Sequence, residues 1–420
     1  MAIVVTSRLK LVLTLISCFA ATACVVSETR PVEYKPAVRA DTEVPVQQRL
    51  NIGIDVFDPG IPEEGTRARE KMRVPPDVRN AESRYLAYQL KETLERTGQW
   101  GEVRVVPEAR EGTELSVSGE IMESDGETLR LEIKARDAAG KVWLKRKYEG
   151  RADSGTYTDG ELLNRDPFQN IYNDISNDLL EARSTLAGND LDNVRRIAEL
   201  RFAADLAPDV FQGTLSENRN GDYEVARLPA EGDEMMVRMR AIRERDYLFV
   251  DTLNEYYLSF YREMEEPYDT WRRYSYDEAV ALRELQAAAR WRKFVGAAAV
   301  IGAVMADTGE SRTGAVARDV ALLGGIELFR QGLQVSKEAK MQAEVLAELG
   351  TSFGAEIEPA VIDIAGETHR LEGSAATQYN EWKRLLRDIY QSETGVDPTP
   401  EGAFSQPVSS LASGDPATTQ

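Results

Sequence analysis

Alternating apolar and polar positions predict strands in the first half of the chain. In residues 50–57, the side chains of Leu50, Ile52, Ile54 and Val56 fall on one face, as in a strand with one buried side. Similar short segments span residues 102–107, 113–124, 127–137 and 141–150. The turn sequences DG and AAG separate the last three segments, which predicts a three-strand meander.

Two helices accompany these strands. Residues 79–97 carry an apolar stripe, and Gly98 follows as a C-cap. The stripe consists of Tyr85, Leu86, Leu90 and Leu94. Residues 166–186 repeat the helical spacing of three and four. The sequence therefore predicts an α+β fold whose first part, residues 50–186, is a small meander-sheet domain with two helices.

Helical spacing dominates after residue 186. Helices are predicted over residues 191–206, 233–266, 269–306 and 313–350. Pro267 is expected to end the second of them. A β-hairpin is predicted within residues 355–373, and Ser374 can cap a last helix. We expect a mainly α-helical domain with a short β-hairpin over residues 187–394 and a disordered tail over 395–420.

The element order of residues 50–186 resembles known periplasmic domains. The helix "AESRYLAYQLKETLERTGQW" leads into a strand, and "GEI" lies within the meander. These features are similar to the TolB amino-terminal domain and to penicillin-binding-protein activator lipoproteins. The resemblance implies a binding or scaffolding module, and it carries over no catalytic residue.

The amino terminus has the pattern of an export signal. Residues 11–21 form an apolar run that follows Arg8 and Lys10. The run is shorter than the roughly 20 residues that a membrane-spanning helix needs. We therefore predict a signal peptide over residues 1–23 and a flexible tether, rich in proline and charge, over residues 24–49.

Both cysteines of the chain lie in this region. Cys24 follows the letters ATA, a sequence similar to the lipobox of bacterial lipoproteins. Cys18 matches the box letters better, but cleavage there would leave too short an apolar run for export. We predict lipidation at Cys24; the alternative is ordinary cleavage after Ala23, which leaves a free thiol. No Asp follows the cysteine, so the resemblance implies an outer-membrane location facing the periplasm.

Charge and residue types limit the chemistry. The net charge is −20, from 71 acidic and 51 basic residues, and no basic stripe stands out, so nucleic acid is not an expected partner. The chain has one histidine, His369, and no cysteine besides Cys18 and Cys24. We therefore predict no metal site, no cofactor and no catalytic residue. An enzyme that acts on envelope polymers through carboxylates remains an alternative.

A Gly/Ala-rich segment, residues 294–329, is predicted to form a helical hairpin similar to the glycine zippers of some envelope lipoproteins. Its small residues, which let helices approach closely, are Gly296, Gly302, Gly324 and Gly325. One interpretation is a tightly packed core hairpin. The other is a self-association or membrane-dipping element, with Trp291, Arg292 and Lys293 at the headgroup level.

These patterns together favour one function. We expect a non-catalytic, lipid-anchored scaffold or accessory protein in envelope assembly, secretion or the regulation of cell-wall synthesis. Its expected partners are the membrane, through the N-terminal lipid, and other envelope proteins, with a homo-oligomer possible. A small-ligand binding lipoprotein is a further alternative.

Overall fold

The structure, a computed structural model, describes residues 33–305 and 337–395, apart from residues 73, 154, 158–164, 365 and 366. The α+β prediction is confirmed. The described helices are α1 (Arg67–Lys71), α2 (Pro76–Thr97), α3 (Gln169–Ser184), α4 (Gly188–Leu206), α5 (Pro208–Phe211), α6 (Glu234–Met305), α7 (Lys337–Ala355) and α8 (Ala375–Thr394). The described strands are β1 (Ile52–Asp55), β2 (Val103–Val106), β3 (Leu115–Ser124), β4 (Thr128–Asp137), β5 (Val142–Arg151), β6 (Leu215–Glu217), β7 (Tyr223–Val225), β8 (Ala360–Ile364) and β9 (Glu367–Leu371).

The main sheet has five strands in the order β2-β1-β3-β4-β5. β1 pairs in parallel with β2 and β3, and α2 makes the connection from β1 to β2. β3, β4 and β5 form the predicted antiparallel meander. The alternation of apolar and polar residues predicted each of the five strands of this sheet. The sequence did not predict the short hairpin β6–β7 or the helices α1 and α5.

One face of the sheet is buried and the other is polar. Leu129, Leu131 and Ile133 of β4 are fully buried, whereas Lys134 and Arg136 further along the strand are exposed. β5 is an outer strand with one strand neighbour. Charged residues line it at Lys145, Lys147, Glu149 and Arg151, all of which are exposed.

α2 begins at Pro76, three residues before the predicted start. Proline is favoured at the first helical position because its missing N–H would have no helical partner there. The helix ends at the predicted place: Gly98 adopts φ 65°, a left-handed conformation that glycine adopts without steric cost.

α6 corrects a prediction. Residues 233–266 and 269–306 were expected to form two helices separated by Pro267, but Glu234–Met305 is one helix of 72 residues with Pro267 inside it. Tyr261 and Tyr268, on either side of the proline, both contact the ring of Tyr85. The centroid of the Tyr85 ring lies 4.7 Å from that of Tyr261 and 4.8 Å from that of Tyr268. This packing on α2 holds the two halves in one helix despite the lost hydrogen bond.

The C-terminal elements follow the predicted order. α7 runs past the predicted end at Gly350 to Ala355, while residues 306–336 of the expected helix region lie outside the described residues. The hairpin β8–β9 is confirmed within residues 355–373. Ser374 caps α8 as predicted, since its Oγ accepts a hydrogen bond from the Thr377 N–H at 3.2 Å.

Buried side chains from both halves of the chain form one large cluster. Ile54 of β1, Tyr268 of α6 and Tyr390 of α8 all belong to it. α6 lies against both α2 and the outer strand β2, so residues beyond 187 cover the sheet domain directly.

Candidate functional site

The chain enters the described structure along the outside of α3. Residues 33–40, here called the strap, lie beside this helix and form no helix or strand. The strap belongs to the predicted tether of residues 24–49, but it is attached to the body, because its main chain is hydrogen-bonded to α3 from Glu33 onward.

Three asparagines of α3, Asn170, Asn173 and Asn177, hold the strap; we call them the asparagine ladder. Asn170 accepts a hydrogen bond from the Lys35 N–H at 2.9 Å and donates one to the Glu33 carbonyl at 2.7 Å.

The other two asparagines continue the pattern. Asn173 donates to the Lys35 carbonyl at 2.8 Å. Asn177 accepts from the Val38 N–H at 2.8 Å and donates to the Pro36 carbonyl at 3.3 Å. Asn170 and Asn177 thus each bond a carbonyl and the N–H two residues later.

The spacing of the ladder matches an extended chain. Asn170 and Asn177 are seven residues apart, which is about 10.5 Å along a helix. The strap residues whose N–H groups donate to them, Lys35 and Val38, are three residues apart, which is about 10 Å in an extended chain. A seven-residue step on α3 therefore fits a three-residue step of an extended main chain.

The strap's side chains contribute little to this contact. Tyr34 is 46% and Val38 is 53% exposed. Lys35 and Asp174 form an exposed ion pair at 3.9 Å, and the Arg165 guanidinium lies 4.4 Å from the centroid of the Tyr34 ring. Exposed pairs of this kind are worth little. The ladder therefore recognises the main chain of the strap and not its side chains.

The strap runs from one end of the body to the other. We call the end where β1 finishes and α3 starts the near pole, and the opposite end the far pole. Glu33 lies at the start of α3, whereas the Ala40 N–H donates to the Thr97 carbonyl at the end of α2, 2.8 Å away. Arg195 of α4 then binds the carbonyl of Arg49 at 2.7 Å, close to the beginning of β1.

α6 leaves the body at the near pole. Gly126, in the β3–β4 turn, adopts φ 86°, and a Cβ there would lie 2.5 Å from the Arg272 carbonyl oxygen, so the helix backbone rests directly on the turn. The Arg283 Nε is 2.8 Å from the Glu127 carboxylate. From Arg283 to Met305 the helix continues for about 33 Å.

A buried ion-pair network fixes α6 at this pole. Arg272 is fully buried; it binds Asp166 at 2.8 Å, contacts Asp269, and lies 4.3 Å from the ring centroid of Tyr268. Burial lowers the pKa of Arg272, but the two carboxylates outweigh it and raise that pKa well above its ordinary value. Asp166 lies just before α3, so the network joins α6 to the start of the ladder helix.

A second buried carboxylate lies next to this network. Glu82 of α2 accepts hydrogen bonds from Ser124 at 2.7 Å and Tyr268 at 2.8 Å, and its other oxygen is 3.3 Å from Arg79. Burial raises the pKa of Glu82, although Arg79 and the two hydroxyl donors oppose the shift. These bonds tie β3, α2 and α6 together.

The structure describes only some of the residues that the sequence predicts as sites. Cys24, Gly324 and Gly325 lie outside the described residues. The ranges 291–293 (Trp291, Arg292 and Lys293) and 296–302 (which includes Gly296 and Gly302) fall on the last part of α6, whose helical backbone alone is described. Among the described helices, none combines the length and apolar character that crossing a bilayer requires.

The described part of the chain offers polar cavities. One of about 430 Å³ lies between α2 and α7 and is lined by Asp77, Asn80 and Arg84 with residues of α7. Another of about 350 Å³ is lined by Glu114, Arg195 and neighbouring charged side chains. Within the described residues, no three His, Cys, Asp or Glu side chains come together as metal ligands would.

Two titratable residues stand apart from these cavities. Burial, with a smaller contribution from Glu108, raises the pKa of Asp55 to about 7, and its Oδ1 has no hydrogen-bond partner among the described residues. His369 lies on β9 opposite Ile362 and is half-buried. Neither Asp55 nor His369 lines either cavity.

Sequence reasoning missed the ladder. Asparagine is a poor helix former, so three asparagines at spacings of three and four within one helix were an available signal. The strap itself has no periodicity that points to a partner.

Comparisons with known proteins add no further constraint. The likeness to TolB-type and activator-type periplasmic domains stays a prediction from the sequence. No family model, no curated protein and no solved structure matches the chain.

Proposed function

We propose that the chain is a lipid-anchored, non-catalytic scaffold of the outer membrane that faces the periplasm. It acts in envelope assembly, secretion or the regulation of cell-wall synthesis through contacts with other envelope proteins. The observation that carries the proposal is the bound strap, because it joins the segment after Cys24 to one defined end of the folded body.

Chain lengths support this arrangement. Glu33 lies nine positions after Cys24, so the lipid is within about 30 Å of the near pole. α6 extends about 33 Å beyond Arg283 from the same pole. The two reaches are similar, which supports the interpretation of the Gly/Ala-rich end of α6 as a membrane-contacting element. The far pole then faces the periplasm.

The extended helix also supports a scaffold role. Met305 lies 22 residues beyond Arg283, whose pairing with Glu127 holds α6 against the β3–β4 turn. A helix of this length is a rigid spacer that can present a surface to another envelope protein or to a second copy of the chain.

The anchor is tested by exchanging one cysteine at a time. We expect Cys24→Ala to abolish incorporation of radiolabelled palmitate and to release the protein from the outer-membrane fraction of a density gradient. Cys18→Ala is the matched control, since it changes the other cysteine within the signal and leaves Cys24 intact. Outer-membrane fractionation and labelling of Cys24→Ala at the wild-type level would contradict the proposal.

A further inference from the structure

We infer that the asparagine ladder is a binding site for an extended peptide main chain, and that the strap occupies it reversibly. The ligand is defined by its backbone: carbonyls at the positions of Glu33, Lys35 and Pro36, and N–H groups at Lys35 and Val38. The site holds residues 33–38 of its own chain.

The contacts explain why the site tolerates many sequences. The strap bonds the ladder through main-chain atoms, while the side chains of Glu33, Tyr34, Lys35 and Val38 are exposed. Pro36 fits because only its carbonyl is used. Proline at the position of Lys35 or Val38 would remove a donor that the ladder needs.

The contacts also explain why occupancy is reversible. The hydrogen bonds of Asn170 and Asn177 to the strap are exposed to water, which competes for both partners. No large apolar side chain of the strap is buried. The strap stays bound chiefly because it is part of the same chain, which gives it a high effective concentration at the ladder.

Release of the strap changes where the lipid is attached. With the strap bound, the first bonded residue is Glu33 at the near pole, nine positions after Cys24, which limits the reach of the lipid to about 30 Å from that pole. With the strap released, the first fixed point is Val46, whose carbonyl binds Arg195, and the reach becomes about 75 Å from the far pole. This consequence rests on the proposed lipid anchor; the binding site itself does not.

Trypsin provides a direct test because the strap contains one susceptible bond. Between Cys24 and Gln48 the basic residues are Arg30, Lys35 and Arg39, and the first two precede proline, where trypsin does not cut. The Arg39–Ala40 bond lies in the strap, next to the hydrogen bond from the Ala40 N–H to Thr97. Its cleavage rate in the full-length, unlipidated Cys24→Ser protein therefore reports the released state.

We expect the double substitution Asn170→Ala and Asn177→Ala to speed this cleavage about tenfold or more, since it removes four strap hydrogen bonds. Alanine is the better helix former, so α3 is retained, and circular dichroism checks this. Asn193→Ala, at an exposed asparagine of α4, is the matched control and leaves the rate unchanged. An unchanged rate in the double variant overturns the site.

Variants in the strap give a second test outside the folded body. Val38→Pro removes a donor to Asn177, whereas the Ala37 N–H makes no hydrogen bond within the described residues. Each rate is divided by that of the free peptide of residues 33–45 with the same substitution. We expect faster normalised cleavage for Val38→Pro than for Ala37→Pro; equal values count against main-chain recognition.

Exchange is tested with a free peptide of residues 30–38, which trypsin does not cut. In excess, it should displace the strap and speed cleavage at Arg39, while the same peptide with Val38→Pro should not. No acceleration by the wild-type peptide overturns reversible occupancy. Because the protein in these experiments carries no lipid, their failure is distinct from a failure of the Cys24→Ala fractionation experiment.

Discussion

Side-chain amides in this protein take the place of main-chain partners. The asparagine ladder does so along α3, and Asn254 does so at the edge of the sheet. The Asn254 Oδ1 accepts from the Val105 N–H at 2.8 Å, and its Nδ2 donates to the Val105 carbonyl at 3.0 Å. A single residue of α6 thus satisfies both polar main-chain groups that Val105 would offer to a further strand beside β2.

Asp55 gives a prediction at the residue scale. Its pKa is about 7 in the folded protein, against an ordinary value of 3.8, so folding favours its protonated form. Below about pH 4 Asp55 is protonated in both the folded and the unfolded protein, and the folded state keeps its full stability. As the pH rises to about 7, the unfolded state gains stability by ionising Asp55, so the free energy of unfolding falls. We expect Asp55→Asn to raise the free energy of unfolding by about 2–4 kcal/mol at pH 8.

The measurement is urea unfolding of both proteins at pH 4 and at pH 8. The difference between Asp55→Asn and the wild type should be small at pH 4 and large at pH 8. Asp41→Asn, at an exposed aspartate, serves as the control for removal of one negative charge. If the advantage of Asp55→Asn were equal at both pH values, the assigned burial effect would be wrong.

At the scale of elements, tertiary packing explains why helix α6 continues past Pro267. Proline breaks the hydrogen-bond ladder at residue 267, yet the tyrosines before and after it both contact Tyr85 of α2. Further along, the buried pair of Arg272 and Asp166 holds the next turn. These contacts oppose the cost of an internal proline, which is roughly 3 kcal/mol.

Replacing this proline should stabilise the helix. We expect Pro267→Ala to raise the free energy of unfolding by about 1–3 kcal/mol, because alanine restores the N–H that bonds the preceding turn and removes the ring clash. Thermal or denaturant unfolding followed by circular dichroism measures it. Pro76→Ala is the matched control, since Pro76 lies at the start of α2, where no N–H is needed. A loss of stability in Pro267→Ala would show that the proline shapes the contacts with α2.

Local patterns account for most of the elements but not for the contacts between them. Alternation and turn residues predicted the meander, and Gly98 and Ser374 marked helix boundaries correctly, because these signals act over a few residues. The ladder pairs Asn170 with Lys35, 135 positions away, through one side chain and the main chain. The asparagine spacing on α3 is visible in the sequence, but the strap carries no matching pattern, so the sequence alone did not identify the partner.

The whole molecule has two distinct poles. β3 is 10 residues long, so the poles are separated by about 33 Å along the sheet. The loop after β1, which includes Glu64, lies at the near pole, and the β6–β7 turn with Arg219 lies at the far pole, where the Tyr223 N–H binds the Ala139 carbonyl. The proposed anchor therefore gives the body a defined orientation on a membrane.

Energy transfer to a membrane dye tests this orientation. Once the signal is removed and Cys24 is lipidated, a cysteine introduced by Glu64→Cys or Arg219→Cys is the only free thiol for a fluorophore. In reconstituted vesicles we expect stronger transfer from position 64 than from position 219. Disruption of the ladder by Asn170→Ala and Asn177→Ala should reduce the difference. Equal transfer from both positions in the wild type would contradict the orientation.

The outer strand β5 has a consequence for crowded membranes. Under the proposed lipid anchor, copies of the protein share a two-dimensional surface, where collisions between sheet edges are frequent. The β2 edge is occupied by Asn254, and β5 carries the exposed charges of Lys145, Lys147, Glu149 and Arg151. Neither edge is a favourable template for strand addition. High surface density is therefore compatible with separate, functional bodies instead of fibrous aggregates.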